Sequence, residues 1–147
     1  MIQSIMIILV AALGGVAISI QAQMMGQLDK SIGTIESVFI TYGSGGLAIG
    51  LIMLAMRGGN LSAISAVPLY TLLAGVVGLL IVGSIGYSVP RLGLVTAFTL
   101  MVSAQFISGA LIDHYGFLGA ELKQLTMSRI VGIAIMLFGV WIVIKKP

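Results

Sequence analysis

Apolar residues run along the chain in five long stretches, separated by short clusters of polar, glycine and proline residues. The first extends from Ile5 to Ile20 and softens across Gln21, Gln23 and Gln27 to Asp29 and Lys30. The second covers residues 35–56, carries a single acid, Glu36, and is followed by the turn-like Arg57-Gly58-Gly59-Asn60. The third starts around Pro68, where a proline in the first turn loses no intrahelical hydrogen bond, and stops before Pro90-Arg91. The fourth begins at Leu92, so close behind that these two segments are expected to be antiparallel neighbours, and it closes on Asp113-His114-Tyr115-Gly116. After a polar stretch with Glu121 and Lys123, Thr126 or Ser128 is placed to cap the fifth, from Arg129 to Lys145. Membrane barrels are built from roughly ten-residue strands that alternate polar and apolar positions. These runs are continuous and about twice as long, so the pattern predicts helices, at about 5–23, 35–56, 68–87, 92–112 and 129–145.

A helix crosses the hydrocarbon of a bilayer with about 20 apolar residues. The expected fold is therefore an all-α membrane protein, a five-transmembrane-helix bundle forming a single transmembrane domain over residues 1–147. Composition agrees: 59% of the residues are hydrophobic and 7% are charged, whereas a soluble surface needs roughly 25% charge. Met1-Ile2-Gln3-Ser4 carries no basic side chain, which favours a first membrane helix over a secretory signal. Five crossings put the two termini on opposite sides. The basic residues do not choose between the sides: Arg57, Lys123 and Arg129 fall on one, Lys30, Arg91, Lys145 and Lys146 on the other. A net charge of +3 spread singly over membrane-flanking positions gives no reason to expect nucleic acid as a partner.

Chemistry is sparse. There is no cysteine and one histidine, His114, so neither disulfides nor a multi-histidine metal site within one subunit is expected. No phosphate-binding or dinucleotide-binding glycine motif occurs, and no nucleophile-and-base constellation points to an enzyme or calls for a cofactor. Glycine is abundant, at 20 of 147 residues. Small residues at four-residue spacing let membrane helices approach closely; Gly46 with Gly50 and Ala74 with Gly78 are such pairs, and Gly132 and Gly139 share one helix face.

Polar groups inside hydrocarbon are costly unless they find a partner or a water-filled cavity. Glu36 either caps its own helix N-terminus, where negative charge is favoured, or lies in a cavity and exchanges a proton or binds a cation. Gln105, near the middle of the fourth segment, either ties helices together or faces a transport path. Asp113 and His114 sit at the end of that segment, where they either rim a vestibule and exchange protons or orient a loop, or are ordinary interfacial residues; an aspartate there opposes the helix dipole, which asks for an arginine or a backbone amide as partner. Gln21 and Gln23 close the first segment on opposite sides of the helix, so one of them at most is expected to reach a cavity, and Gln21 is the candidate for the substrate or proton path. Tyr42 lies inside the second segment on the face of Gly46, where an aromatic ring can hold an organic cation.

Pro90-Arg91-Leu92-Gly93, the pair Ala104-Gln105 and the string Ser108-Gly109-Ala110-Leu111-Ile112-Asp113-His114-Tyr115-Gly116 resemble a bacterial inner-membrane branch of the drug/metabolite transporter superfamily, made of short five-helix chains and fused doubles. Gly15, Gly46 and Gly132 also fall where that family keeps glycine. The chain departs from the family pattern at Ala104, where glycine is usual, and at Met25, where asparagine follows Gln21 by four residues. The resemblance implies a multi-pass protein of the bacterial inner membrane. It implies half of a ten-helix carrier, paired in inverted orientation as a homodimer or as a heterodimer with a related short chain. By analogy with small multidrug exporters, whose membrane carboxylate exchanges cations for protons, it implies a secondary transporter for a small cationic or amphipathic compound, with Glu36 as the corresponding acid. A passive channel, and a non-transporting scaffold or accessory subunit, are the competing expectations.

Overall fold

The computed structural model describes residues 2–56 and 59–145, with side chains from Ser4 onward. Arg57 and Lys146, two of the basic residues weighed for orientation, lie outside the described residues, as does Gly58 of the expected turn. Five helices follow one another: α1 (Ile2–Ile32), α2 (Thr34–Ala55), α3 (Ala74–Leu92), α4 (Leu94–Tyr115) and α5 (Met127–Ile144). No strand occurs among the described residues. All five are long and apolar enough to cross a membrane, the third when taken with the 3-10 run Leu69–Leu73 that leads into α3. The five-helix, all-α membrane fold expected from the sequence is the fold observed.

The fourth and fifth helices lie within three residues of their expected limits, and the largest departures are in the first and third. The first, expected to stop near residue 23, continues to Ile32. Gln23, Gln27 and Lys30 are helix formers, and polarity ends a membrane crossing without ending a helix. With 31 residues rising 1.5 Å each, α1 is about 46 Å long against about 30 Å of hydrocarbon. The break comes at Gly33, whose φ of 98° lies where a side chain is strained. The third segment begins as 3-10 turns and becomes α-helical only at Ala74. It then runs through Pro90 to Leu92 instead of ending before the proline.

The chain divides into two compact units, Met1–Arg91 and Leu92–Pro147. In the first unit, side-chain neighbours fix the directions of the helices. Met25 and Gly26 of α1 approach Gly86 and Val89 of α3, and Asp29 approaches Arg91, so the numbers rise together and the two helices run the same way. Between α2 and α3 the pairs are Ser37 with Gly86, Val38 with Gly83, and Tyr42 with Gly78. Here one number falls as the other rises, so α2 is antiparallel to both.

Among the described residues, burial in this unit is confined to one end of the three helices: Ala22, Met25, Gly26 and Asp29 of α1, Ser37 of α2, and Ile85, Gly86 and Val89 of α3. Small residues permit the contact. A Cβ on Gly26 would touch Val89 and Pro90, and one on Gly86 would press on the Met25 methyl and the Ser37 hydroxyl. The expected Gly46–Gly50 contact is not made among the described residues: a Cβ added at Gly43, Gly45, Gly46 or Gly50 of α2 meets nothing within 4 Å. The glycines that meet another helix in this unit are instead Gly26, Gly78, Gly83 and Gly86.

In the second unit α4 and α5 pack on each other. Gly116, in the left-handed conformation at φ 66°, ends α4. The connection is tied back onto that helix end, because the Lys123 N–H donates to the Asp113 carbonyl at 2.8 Å and the Leu125 N–H donates to His114 Nδ1 at 3.4 Å. Thr126 then caps α5, its hydroxyl accepting from the Arg129 N–H.

Candidate functional site

Residues 102, 105, 106, 109, 110 and 113 recur at intervals of three and four, so they form one stripe along α4. A second stripe, 129, 132, 133 and 136, runs along α5. Between the two lies an open groove of about 890 Å³, at the upper end of the range for small-molecule sites. Its walls are Val102, Phe106, Ala110, Ile133 and Met136, and its width comes from Gly109 and Gly132, where an added Cβ would meet nothing within 4 Å.

Polar chemistry enters the groove at two depths. At one end Arg129 Nη1 lies 3.5 Å from Asp113 Oδ2, which gives the aspartate a cation against the unfavourable dipole at its helix end. The two side chains are 40–44% exposed, and a pair so open to solvent contributes at most about 1 kcal/mol. It can therefore be exchanged for a ligand at little loss. Two turns deeper, about 12 Å along α4, the exposed Gln105 amide has no hydrogen-bond partner among the described residues. Thr99 and Ser103 of α4 are quieter, since each donates to a carbonyl of its own helix.

Gln105 and Asp113 are thus brought together in one groove. The remaining candidates lie elsewhere. His114 turns away from the groove residues, receiving the Leu125 N–H and standing edge-on to Tyr115. Glu36, in the first unit, is exposed in the first turn of α2, with its carboxylate folded over Gly33. That is where a negative group stabilises a helix N-terminus. Tyr42 rests its hydroxyl in the space that a side chain at Gly78 would fill. Gln21 is exposed on α1. Met25, at the family's asparagine position, is 1% exposed against Gly86 and serves packing.

One polar cluster is absent from the expectations. Asp29, whose side chain is 5% exposed, receives Arg91 Nη1 on Oδ2 at 3.1 Å and the Thr34 hydroxyl on Oδ1. The same Arg91 nitrogen also donates to the Tyr87 carbonyl at 2.6 Å, and the guanidinium lies 3.8 Å from the centre of the Tyr87 ring. Reading Asp29 as part of a connection hid it. The available signal was the spacing Ala22, Met25, Gly26, Asp29, which extends one helix face up to the first breaker, Gly33. Among the described residues no group of three or more histidine, cysteine or acidic side chains is placed to hold a metal ion.

Comparison with known proteins adds one finding. The model of a family described as "Putative inner membrane exporter, YdcZ" matches residues 6–142, which takes in all of α2, α3 and α4 and nearly all of α1 and α5. No curated protein and no solved structure matches the chain. A match over almost the whole length, on five helices of membrane-spanning size, places this multi-pass protein in the inner membrane, and the chain belongs to the YdcZ family of inner membrane exporters.

Proposed function

We propose that this exporter is a secondary transporter that moves a small cationic or amphipathic compound in exchange for protons, with the α4–α5 groove as the substrate path. The observation that carries this reading is the groove itself: apolar walls, a weak ion pair at one end and an unpartnered amide two turns deeper. An apolar body would lie along Phe106, Ile133 and Met136, and a cationic head would compete with Arg129 for Asp113. Gln105 would fix the depth of the ligand, because its amide has two donors and an acceptor free to bond a polar group of the ligand.

The working unit in this proposal is an inverted pair, either two copies or this chain with a related one. The open glycine face of α2 supports it, since among the described residues a Cβ added at Gly43, Gly45, Gly46 or Gly50 meets nothing within 4 Å. An odd number of crossings and nearly balanced basic residues also allow either orientation, and inverted repeats are a common way to build alternating access.

Purified chain in proteoliposomes, loaded with a fluorescent organic cation and given an inward proton gradient, tests both statements. Efflux is expected with this protein alone, and Asp113→Asn and Gln105→Leu are each expected to slow it about tenfold or more while leaving insertion unchanged. The chain has no native cysteine, so Ile35→Cys in one copy and Leu54→Cys in another report pairing directly. Both positions are exposed, at opposite ends of α2. An inverted pair cross-links 35 to 54. Efflux indifferent to the gradient and to both groove variants would refute the coupled-carrier reading, and cross-links confined to 35 with 35 would refute the inverted pair.

A further inference from the structure

We propose that the paired charges at the end of the α4–α5 groove take a zwitterionic head, an ammonium and a carboxylate carried on one carbon of a small apolar body. The inference rests on the groove being the substrate path and narrows the class of compound that the path accepts.

Each of the two charges is badly placed when taken alone. Asp113 lies in the last turn of α4, which ends at Tyr115, and Arg129 lies in the first turn of α5, which begins at Met127. A helix C-terminus carries partial negative charge and an N-terminus partial positive charge, so each side chain opposes the dipole of its own helix. Each therefore depends on the other, across 3.5 Å. Among the described residues that line the groove, these two carry the charge. The charges of the connection are engaged elsewhere: Lys123 pairs with Glu121 at 3.8 Å, and His114 receives the Leu125 N–H.

This mutual dependence selects among ligands. A simple cation that takes Asp113 leaves the Arg129 guanidinium at a positive helix end without a counter-charge. A simple anion that takes Arg129 strands Asp113 in the same way. Between membrane helices an uncompensated charge is costly. A zwitterion avoids both outcomes. Its ammonium bonds Asp113, its carboxylate meets the planar fork of Arg129, and the groove keeps the same net charge before and after binding.

The surroundings suit such an exchange. The backbones of both residues are held: the Asp113 carbonyl accepts the Lys123 N–H at 2.8 Å, and the Arg129 N–H donates to the Thr126 hydroxyl at 3.4 Å. The side chains themselves are partly exposed, so they can part while the helix ends stay in place. Deeper in the groove, Ala110, Phe106 and Ile133 offer apolar contact to the body of the ligand.

Three probes that share a phenyl ring separate the possibilities: phenylalanine, phenethylamine, which lacks the carboxylate, and 3-phenylpropionate, which lacks the ammonium. Binding to the full chain in lipid nanodiscs is measured by calorimetry at about pH 7, where both groups are charged, with the heat of empty nanodiscs subtracted. Phenylalanine is expected to bind at least about tenfold more tightly than either single-charge probe, since it alone satisfies both side chains. Arg129→Gln is expected to erase its advantage over phenethylamine, and Asp113→Asn its advantage over 3-phenylpropionate. The double variant Asp113→Asn with Arg129→Gln leaves no unpaired charge in the groove, so it remains informative even if a single variant fails to insert. It is expected to bind phenylalanine no better than the other two. Equal binding of the three probes by the unaltered chain, or tighter binding of phenethylamine, would overturn the zwitterion and leave the groove as the path. So would a preference for phenylalanine that survives in the double variant. Absence of binding by all three would overturn it as well, whereas the carrier reading stands or falls on the efflux measurement, which no zwitterion enters.

Discussion

Gly132→Leu is expected to reduce export by more than about tenfold, equivalent to at least about 1.4 kcal/mol of substrate stabilisation, while the protein still inserts and remains monodisperse. Gly132 lies on the α5 wall of the groove and is one of the two glycines that make it wide. An added Cβ there meets nothing within 4 Å, so the fold accepts the larger side chain and the groove loses the space. Gly139→Leu is the matched control, because it lies seven residues on along the same helix, also faces open space and is not part of the groove. Efflux rates of the two variants, normalised to the amount of inserted protein, decide the matter. Equal rates would mean that the groove is not the path.

Gly86→Leu is expected to destabilise the first unit by about 1–3 kcal/mol, the usual cost of forcing a larger side chain into a packed site. Gly86 faces the Met25 methyl and the Ser37 hydroxyl, each 3.3 Å from where its Cβ would stand, and both residues are almost fully buried. Alanine requires those neighbours to yield by a few tenths of an ångström. Leucine has no room at all. Gly75→Leu, near the start of the same helix and in open space, is expected to leave stability unchanged. The check is the fraction of each variant that survives heating in detergent as a monodisperse species. Equal survival would show that the buried cluster at that end contributes little to holding the helices together.

The five crossings were legible because lipid leaves a helix no alternative way to satisfy its backbone, and long uncharged runs report that directly. The string from Ser108 to Gly116 and its neighbours pointed to the exporter family, and a match over residues 6–142 shows that family. Gln105 and Asp113 could be singled out one at a time as polar groups that need a reason to be where they are. Their common groove could not, because Arg129, Gly132 and Met136 come from a helix whose rotation about its axis is set by packing. Composition overstated the break after Gln23, where polar residues simply continue the helix to Ile32.

What the sequence by itself determined is the number, type and membrane setting of the helices, since these depend on the solvent preference of each stretch taken alone. What only the tertiary structure decided is which polar residues meet. Asp29 looked like a connection residue and Arg91 like a flanking charge, 62 positions apart, until α1 and α3 were laid side by side. Likewise Gly86 and Gly26 became contact residues while Gly46 and Gly50 were left open. In lipid, apolar surface does not choose between helix faces as it does in water. The choice falls to close packing and to a few polar pairs, which depend on the rotation and separation of helices in space and leave no periodic trace along the chain.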